Sequence, residues 1–301
     1  MTIIELISAE QKTRRGAKIC VTGVSGVGKT SLVWTLPKQD TLFVDLEAGD
    51  LALEGWKGTS VRPRKWQECR DIACILGGPN PAKGENDPIY SAAHYDYLTK
   101  PRENEKPEDL KKRMDTNEVL KKFNTIFVDS ITHAGRLCFA WCQMQPECLA
   151  RDGSVDIRSA YGLHGREMIA WLTQLQHMRK KDVIFACILD KKLDDFNRPV
   201  YSMQIEGAKT GIELPGIVDE MITMAIDNPE NGGEPKRIFV CQTLNKWGYP
   251  AKDRSAKLDV VEEPHLGNLL KKLKSKRTNT IASSLTYELP TTKEQEKENA
   301  N

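Results

Sequence analysis

The run "AKICVTG" at 17–23, leading straight into "GVSGVGKT" at 23–30, constrains the fold of this chain more than any other stretch. A short β-branched run ending on a glycine reads as a strand, and "KTSLVWTL" before Pro37 permits a helix, so the segment predicts strand, loop and helix in succession. The glycines let the backbone turn with its N–H groups inward, and the positive end of the following helix adds to them, which makes a cradle for a phosphate. Lys29 adds a mobile cation for β- and γ-phosphates, and Thr30 offers a hydroxyl to Mg²⁺. The spacing therefore predicts a site for ATP and Mg²⁺ on Gly23, Ser25, Gly26, Val27, Gly28, Lys29, Thr30 and Ser31.

Strand and helix signals alternate after this point. "TLFVDLE" (41–47), "NTIFVDS" (124–130) and "DVIFACIL" (182–189) read as strands, and "KWQECRDIACIL" (65–76) and about 165–179 as helices. Such alternation predicts a three-layer α/β domain with a mostly parallel sheet. Pro, Gly and charge density from 77 to 122 predicts a partly flexible surface insertion, and 190–216 a long functional loop or hairpin with one short strand. "VDEMITMAI" and "KRIFVCQT", separated by "DNPENGGEP", predict antiparallel strands added at the sheet edge, followed by a polar helix near 264–277. The expected organisation is an N-terminal segment 1–13, one domain over 14–277, and a disordered tail over 278–301.

A nucleotide site needs a carboxylate at a strand end to hold the metal, and Asp129 closes "TIFVD". The residue after it is Ser130 rather than an acid, so the base that orients attacking water must come from elsewhere. Glu47 ends the neighbouring strand signal 18 residues after Lys29 and is the candidate.

The phosphate loop, "FVDLEAGDLAL" and "IFVDSIT" together resemble the RecA-type recombinase core. "DIRSAYGLHGREMIAWL", "IEGAKTGIELPGIVDEMIT" and "PAKDRSAKLDVVEEPHL" are similar to phage-encoded ATP-binding proteins of the AAA_24 type, some of which anneal single strands; the likeness spans roughly residues 14–275. The resemblance implies a RecA-like P-loop NTPase fold with antiparallel edge strands and a DNA-stimulated, Mg²⁺-dependent ATPase. It implies a protein that assembles with itself as ring or filament on single-stranded DNA, with a single-strand-binding or replication protein as a further partner. It also implies that Lys246, in "LNKWG", reaches the ATP of a neighbouring subunit, with Lys252 and Arg254 as alternatives. Two loops would meet the DNA, about 146–164 and 190–216, carrying Arg151, Arg158, Lys191, Lys192, Arg198 and Lys209 with Tyr161, Phe196 and Tyr201 nearby. Cations interleaved with aromatic faces are what single-strand binding requires. The chain departs from the family at Asp190, where a polar amide usually stands, and in the insertion 77–122.

Composition trims the alternatives. A net charge of +2 leaves nucleic-acid contact to local clusters, such as "KKLKSKR" at 271–277. Eight cysteines without a repeating spacing and no signal-peptide pattern predict a cytoplasmic chain with reduced thiols, and the longest apolar runs are too short to span a bilayer. His133, Cys138, Cys142 and Cys148 fit a zinc spacing poorly, and Cys138 with Cys142 reads as one face of a buried helix. A small-molecule kinase would share the phosphate loop but needs an Arg-rich lid, for which the insertion offers only Arg102 and Arg113. A nucleotide-dependent loader or switch for a replication partner is the other open reading.

Overall fold

In a computed structural model, residues 15–85, 87–228 and 233–275 are described; the expected segments 1–13 and 278–301 lie outside them. Six strands form the parallel body of one sheet: β1 (Lys18–Gly23), β2 (Thr41–Asp45), β3 (Thr59–Val61), β4 (Thr125–Asp129), β5 (Asp182–Leu193) and, after the short β6 (Pro199–Met203), β7 (Glu220–Asp227). They lie in the order β7-β1-β5-β4-β2-β3. β8 (Lys236–Val240) and β10 (Val261–Glu262) extend the β7 side antiparallel, β9 (Lys252–Asp253) pairs with the start of β7, and β6 folds back on the outer end of β5.

Each central strand is apolar on both faces because helices cover both. Leu42, Val44, Ile126, Val128, Val183 and Phe185 face a core closed by Trp66, Met168, Trp171 and Leu172. These four come from α1 (Trp66–Gly77) and, beyond α2 (Ala92–Thr99), α3 (Pro107–Lys122) and α4 (Ile131–Cys142), from α5 (Ile157–Gln176). The alternate residues Ile19, Val21, Phe43, Phe127, Ile184 and Ile222 face a second core. It is capped by a 3₁₀ turn over Thr30–Thr35 and, after α6 (Ala208–Ile217), by α7 (Leu266–Lys274), whose Leu266, Leu269, Leu270 and Leu273 recur at helical spacing. Gly267 lets that helix approach closely, since a Cβ there would lie 2.6 Å from the Thr35 carbonyl oxygen. All eight cysteines are free and buried, and among the described residues no cluster suits a metal through His and Cys. Cys138 and Cys142 lie 4.0 Å apart, sulfur to sulfur, on the buried face of α4, as their spacing predicts.

The expected three-layer α/β architecture with antiparallel edge strands is therefore present. Three expectations need correction. The strand in "VDEMITMAI" is parallel and sits inside the sheet beside β1, not antiparallel at its edge. Its direction follows from the second correction: the last third of 190–216 is not loop but α6, and a helical crossover carries the chain back to enter β7 in the same sense as β1. Thirdly, the helix expected near 165–179 begins already at Ile157, where Asp156 caps it by accepting from the N–H groups of Arg158 and Ser159. In segment 77–122, α2 and α3 pack onto the domain, and Leu98 and Leu120 belong to its main core. No helix among the described residues is long and apolar enough to cross a membrane.

Candidate nucleotide site

β1 delivers the phosphate loop at the C-terminal edge of the sheet. Gly26 (φ +78°) and Gly28 (φ +106°) occupy left-handed backbone that side chains disfavour, while Val27, buried between them, anchors the loop in the second core. Lys29 is buried, and its Nζ donates to the carbonyls of Gly23 (2.8 Å) and Val24 (3.0 Å), bridging the loop. Burial holds its pKa below the usual lysine value, against the opposing pull of the Asp129 and Glu47 carboxylates. Ser25 and Ser31 are exposed on either side.

The acids come from the two strands beyond β5. Parallel pairing sets Asp45 of β2 beside Asp129 of β4, and the Leu46 N–H donates to the Asp129 carbonyl, tying the two strand ends together. Asp129 is buried and accepts a 2.6 Å hydrogen bond from Thr30 Oγ1. Its pKa is pushed up to about 6, chiefly by burial and further by the nearby Glu47 and Asp45, against the lowering effects of the Thr30 bond and of Lys29. Glu47, at the exposed mouth, accepts a hydrogen bond from Ser130 Oγ, and Ser130 also caps α4 through the His133 N–H. Thr30, Lys29, Asp129 and Glu47, predicted separately, thus converge. A hydroxyl bonded to a carboxylate, with a second carboxylate close by, is an all-oxygen donor set suited to Mg²⁺.

Asp45 was missed from the sequence. It is buried, and its carboxylate binds the Arg62 guanidinium at 2.5 Å and the Gly49 N–H at 3.1 Å. Those bonds fix the 46–49 turn, in which Ala48 takes a left-handed φ of +57°, and so place Glu47. Strand alternation puts Asp45 and Glu47, two residues apart, on one face, so the pattern alone does not separate the buried acid from the exposed one. Asp190 lies on the β5–β6 hairpin, 3.8 Å from Lys192 Nζ.

The remaining candidates fall into two groups. Lys246 is exposed, its Nζ 4.9 Å above the Trp247 ring, whereas Lys252 and Arg254 are used within the chain: Lys252 Nζ donates to the Pro215 and Val218 carbonyls, and Arg254 pairs with Asp219 at 3.2 Å. Arg151, Arg158, Lys191, Lys192 and Arg198 are exposed; Arg198 closes the hairpin tip onto Asp194 at 2.9 Å and lies 5.1 Å over Phe196. Tyr201 meets Tyr249 at 4.6 Å between ring centres. The two candidate DNA loops come together where α5 meets the start of α6: Tyr161, His164, Gly207 and Lys209 line a cavity of about 420 Å³. Arg113 binds Glu105 at 2.6 Å and Arg102 lies 3.7 Å over Tyr97, so both arginines of the insertion are engaged inside it.

No curated protein matches the sequence. The fold is distantly similar to the KaiC-like protein PH0186 from Pyrococcus horikoshii OT3, with 14% identity, a TM-score of 0.36, and coverage of 77% of this chain and 81% of that one. It is similar at the same level to the flagellar accessory protein FlaH from Methanocaldococcus jannaschii, with 13% identity, a TM-score of 0.32, and coverage of 82% and 89%. Residues 15–255 match the AAA_24 family, described as an AAA domain. That match spans most of the chain and includes Lys29, Glu47 and Asp129, and on it this protein belongs to the AAA_24 family of AAA-type ATPase domains.

Proposed function

We propose that the chain hydrolyses ATP with Mg²⁺ and acts on single-stranded DNA as an assembly of its own copies, in recombination, annealing or replication. The observation that carries the hydrolytic part is the convergence of Thr30, Asp129 and Glu47 on one end of the phosphate loop. The loop N–H groups and Lys29 receive the phosphates of ATP. Thr30 Oγ1 and the Asp129 carboxylate would hold the magnesium ion, which supplies positive charge to the phosphate oxygens. Glu47 accepts the proton of the attacking water, and Ser130 keeps that carboxylate turned toward the loop. Lys246, exposed and free of internal carboxylates among the described residues, is the cation available to a neighbouring copy.

The DNA reading is supported by the meeting of the two loops at Tyr161 and Lys209 and by the exposed Phe196 and Arg198 of the hairpin tip. The test is ATP turnover with and without single-stranded DNA, with oligomer size recorded in the same samples. Turnover that rises with DNA and tracks assembly is the expected result. Turnover indifferent to DNA, with a partner protein captured only in the presence of ATP, would replace this reading by the loader or switch.

A further inference from the structure

β8 supplies an arginine to the phosphate loop that the sequence pattern gave no reason to single out. Arg237 stands opposite Ile226 in the β7–β8 ladder, and its Nε–H donates to the Val27 carbonyl at 2.8 Å. The stem lies along the side of Gly28 where a side chain would project: a Cβ there would meet Arg237 Nε at 3.5 Å and Met224 Cε at 3.6 Å. Among the described residues, no carboxylate pairs with this guanidinium, and its only hydrogen-bond acceptor is the loop.

The Val27–Gly28 peptide is planar and trans, so its N–H points opposite to its C=O. Drawing the Val27 carbonyl outward toward β8 therefore turns the Gly28 N–H the other way, away from Arg237. Among the described residues, no acceptor engages the N–H groups of Gly26, Gly28 or Lys29. A glycine-rich loop is otherwise free to rotate such a peptide, and every rotated conformer removes one donor from the phosphate cradle.

We infer that Arg237 is a positioning residue for nucleotide binding: by pinning the Val27 carbonyl it presets the Gly28 N–H as a phosphate donor, so that the loop is assembled before the nucleotide arrives. The inference rests on the phosphate loop being the nucleotide site. It is a statement about the phosphates common to ATP and ADP and not about the transferred group.

The experiment is calorimetric titration of ATP and of ADP, each with Mg²⁺, into the wild-type chain and Arg237→Ala, Arg237→Met and Arg237→Lys, with saturated turnover measured alongside. Removing a charge-assisted hydrogen bond predicts that Arg237→Ala weakens ATP and ADP alike by about tenfold, with kcat within about twofold of wild type. Arg237→Met keeps the stem against Gly28 without the donor and should weaken binding as much as Arg237→Ala; Arg237→Lys should recover part of the loss. Arg237 is exposed, and thermal melts of the three variants check that the fold is retained. Unchanged affinity in Arg237→Met overturns the inference, as does a loss confined to ATP or to kcat, which would mean contact with the transferred phosphate. A wild-type chain that binds neither nucleotide instead overturns the nucleotide reading itself.

Discussion

Glu47 and Asp129 are both carboxylates, and their surroundings suit them to the different work proposed for them. Asp129 is buried against Thr30, while Glu47 is exposed and tethered to Ser130. Replacing Glu47 by Gln keeps the shape and the hydrogen bond but removes the proton acceptor. Steady-state hydrolysis should then fall by about 10²- to 10³-fold while ATP affinity, measured by titration, stays within a few-fold. A variant that hydrolyses at the original rate would move the base elsewhere. The phosphate loop, Asp129 and Glu47 could be read from the sequence because each depends on local spacing: glycines before a lysine, an acid at the end of an apolar run. Asp45 and Arg237 could not, since each acts on a partner fixed by the sheet, Arg62 just past the neighbouring parallel strand β3 and Val27 more than two hundred positions away.

At the level of elements, strands buried on both faces were legible from their unbroken apolar runs, whereas α6 was hidden by Gly211, Pro215 and Gly216. Its helix is held by burial of Thr210, Leu214 and Ile217, a tertiary effect that outweighs weak intrinsic propensity. The β5–β6 hairpin should be separable from the ATPase core. Replacing Asp194–Arg198 by a two-residue Asn-Gly turn should leave DNA-independent hydrolysis unchanged and reduce affinity for a labelled oligonucleotide several-fold. Where β7 begins, buried Glu220 faces Asp253, and burial followed by that neighbour raises its pKa to about 8, while Asp253 stays below its ordinary value. The folded chain therefore holds a proton on Glu220 that the unfolded chain releases near pH 4.5. The contribution to stability is full below that point and is lost as pH climbs toward 8. Denaturant melts of Glu220→Gln should show a flatter profile than wild type across that interval.

On the scale of the whole molecule, one sheet with a core on each face makes the site part of the framework rather than an appendage: Val27 belongs to one core, and Val128, next to Asp129, to the other. Ligand binding should therefore be felt globally. Mg²⁺ and ATP at about a hundred times Kd contribute roughly 2.7 kcal/mol, which for a chain of this size should raise the thermal midpoint by about 5 °C, an increment absent from Lys29→Ala. With a net charge of only +2, the proposed DNA binding should owe its salt dependence to a few local cations, giving a shallow slope of log K against log salt. The burial of all eight thiols carries a practical corollary. Maleimide dyes should find no target on the native chain, so a single cysteine introduced at an exposed position such as Phe196 could be labelled alone, reporting on the proposed DNA and subunit encounters without first stripping the natural cysteines from the interior.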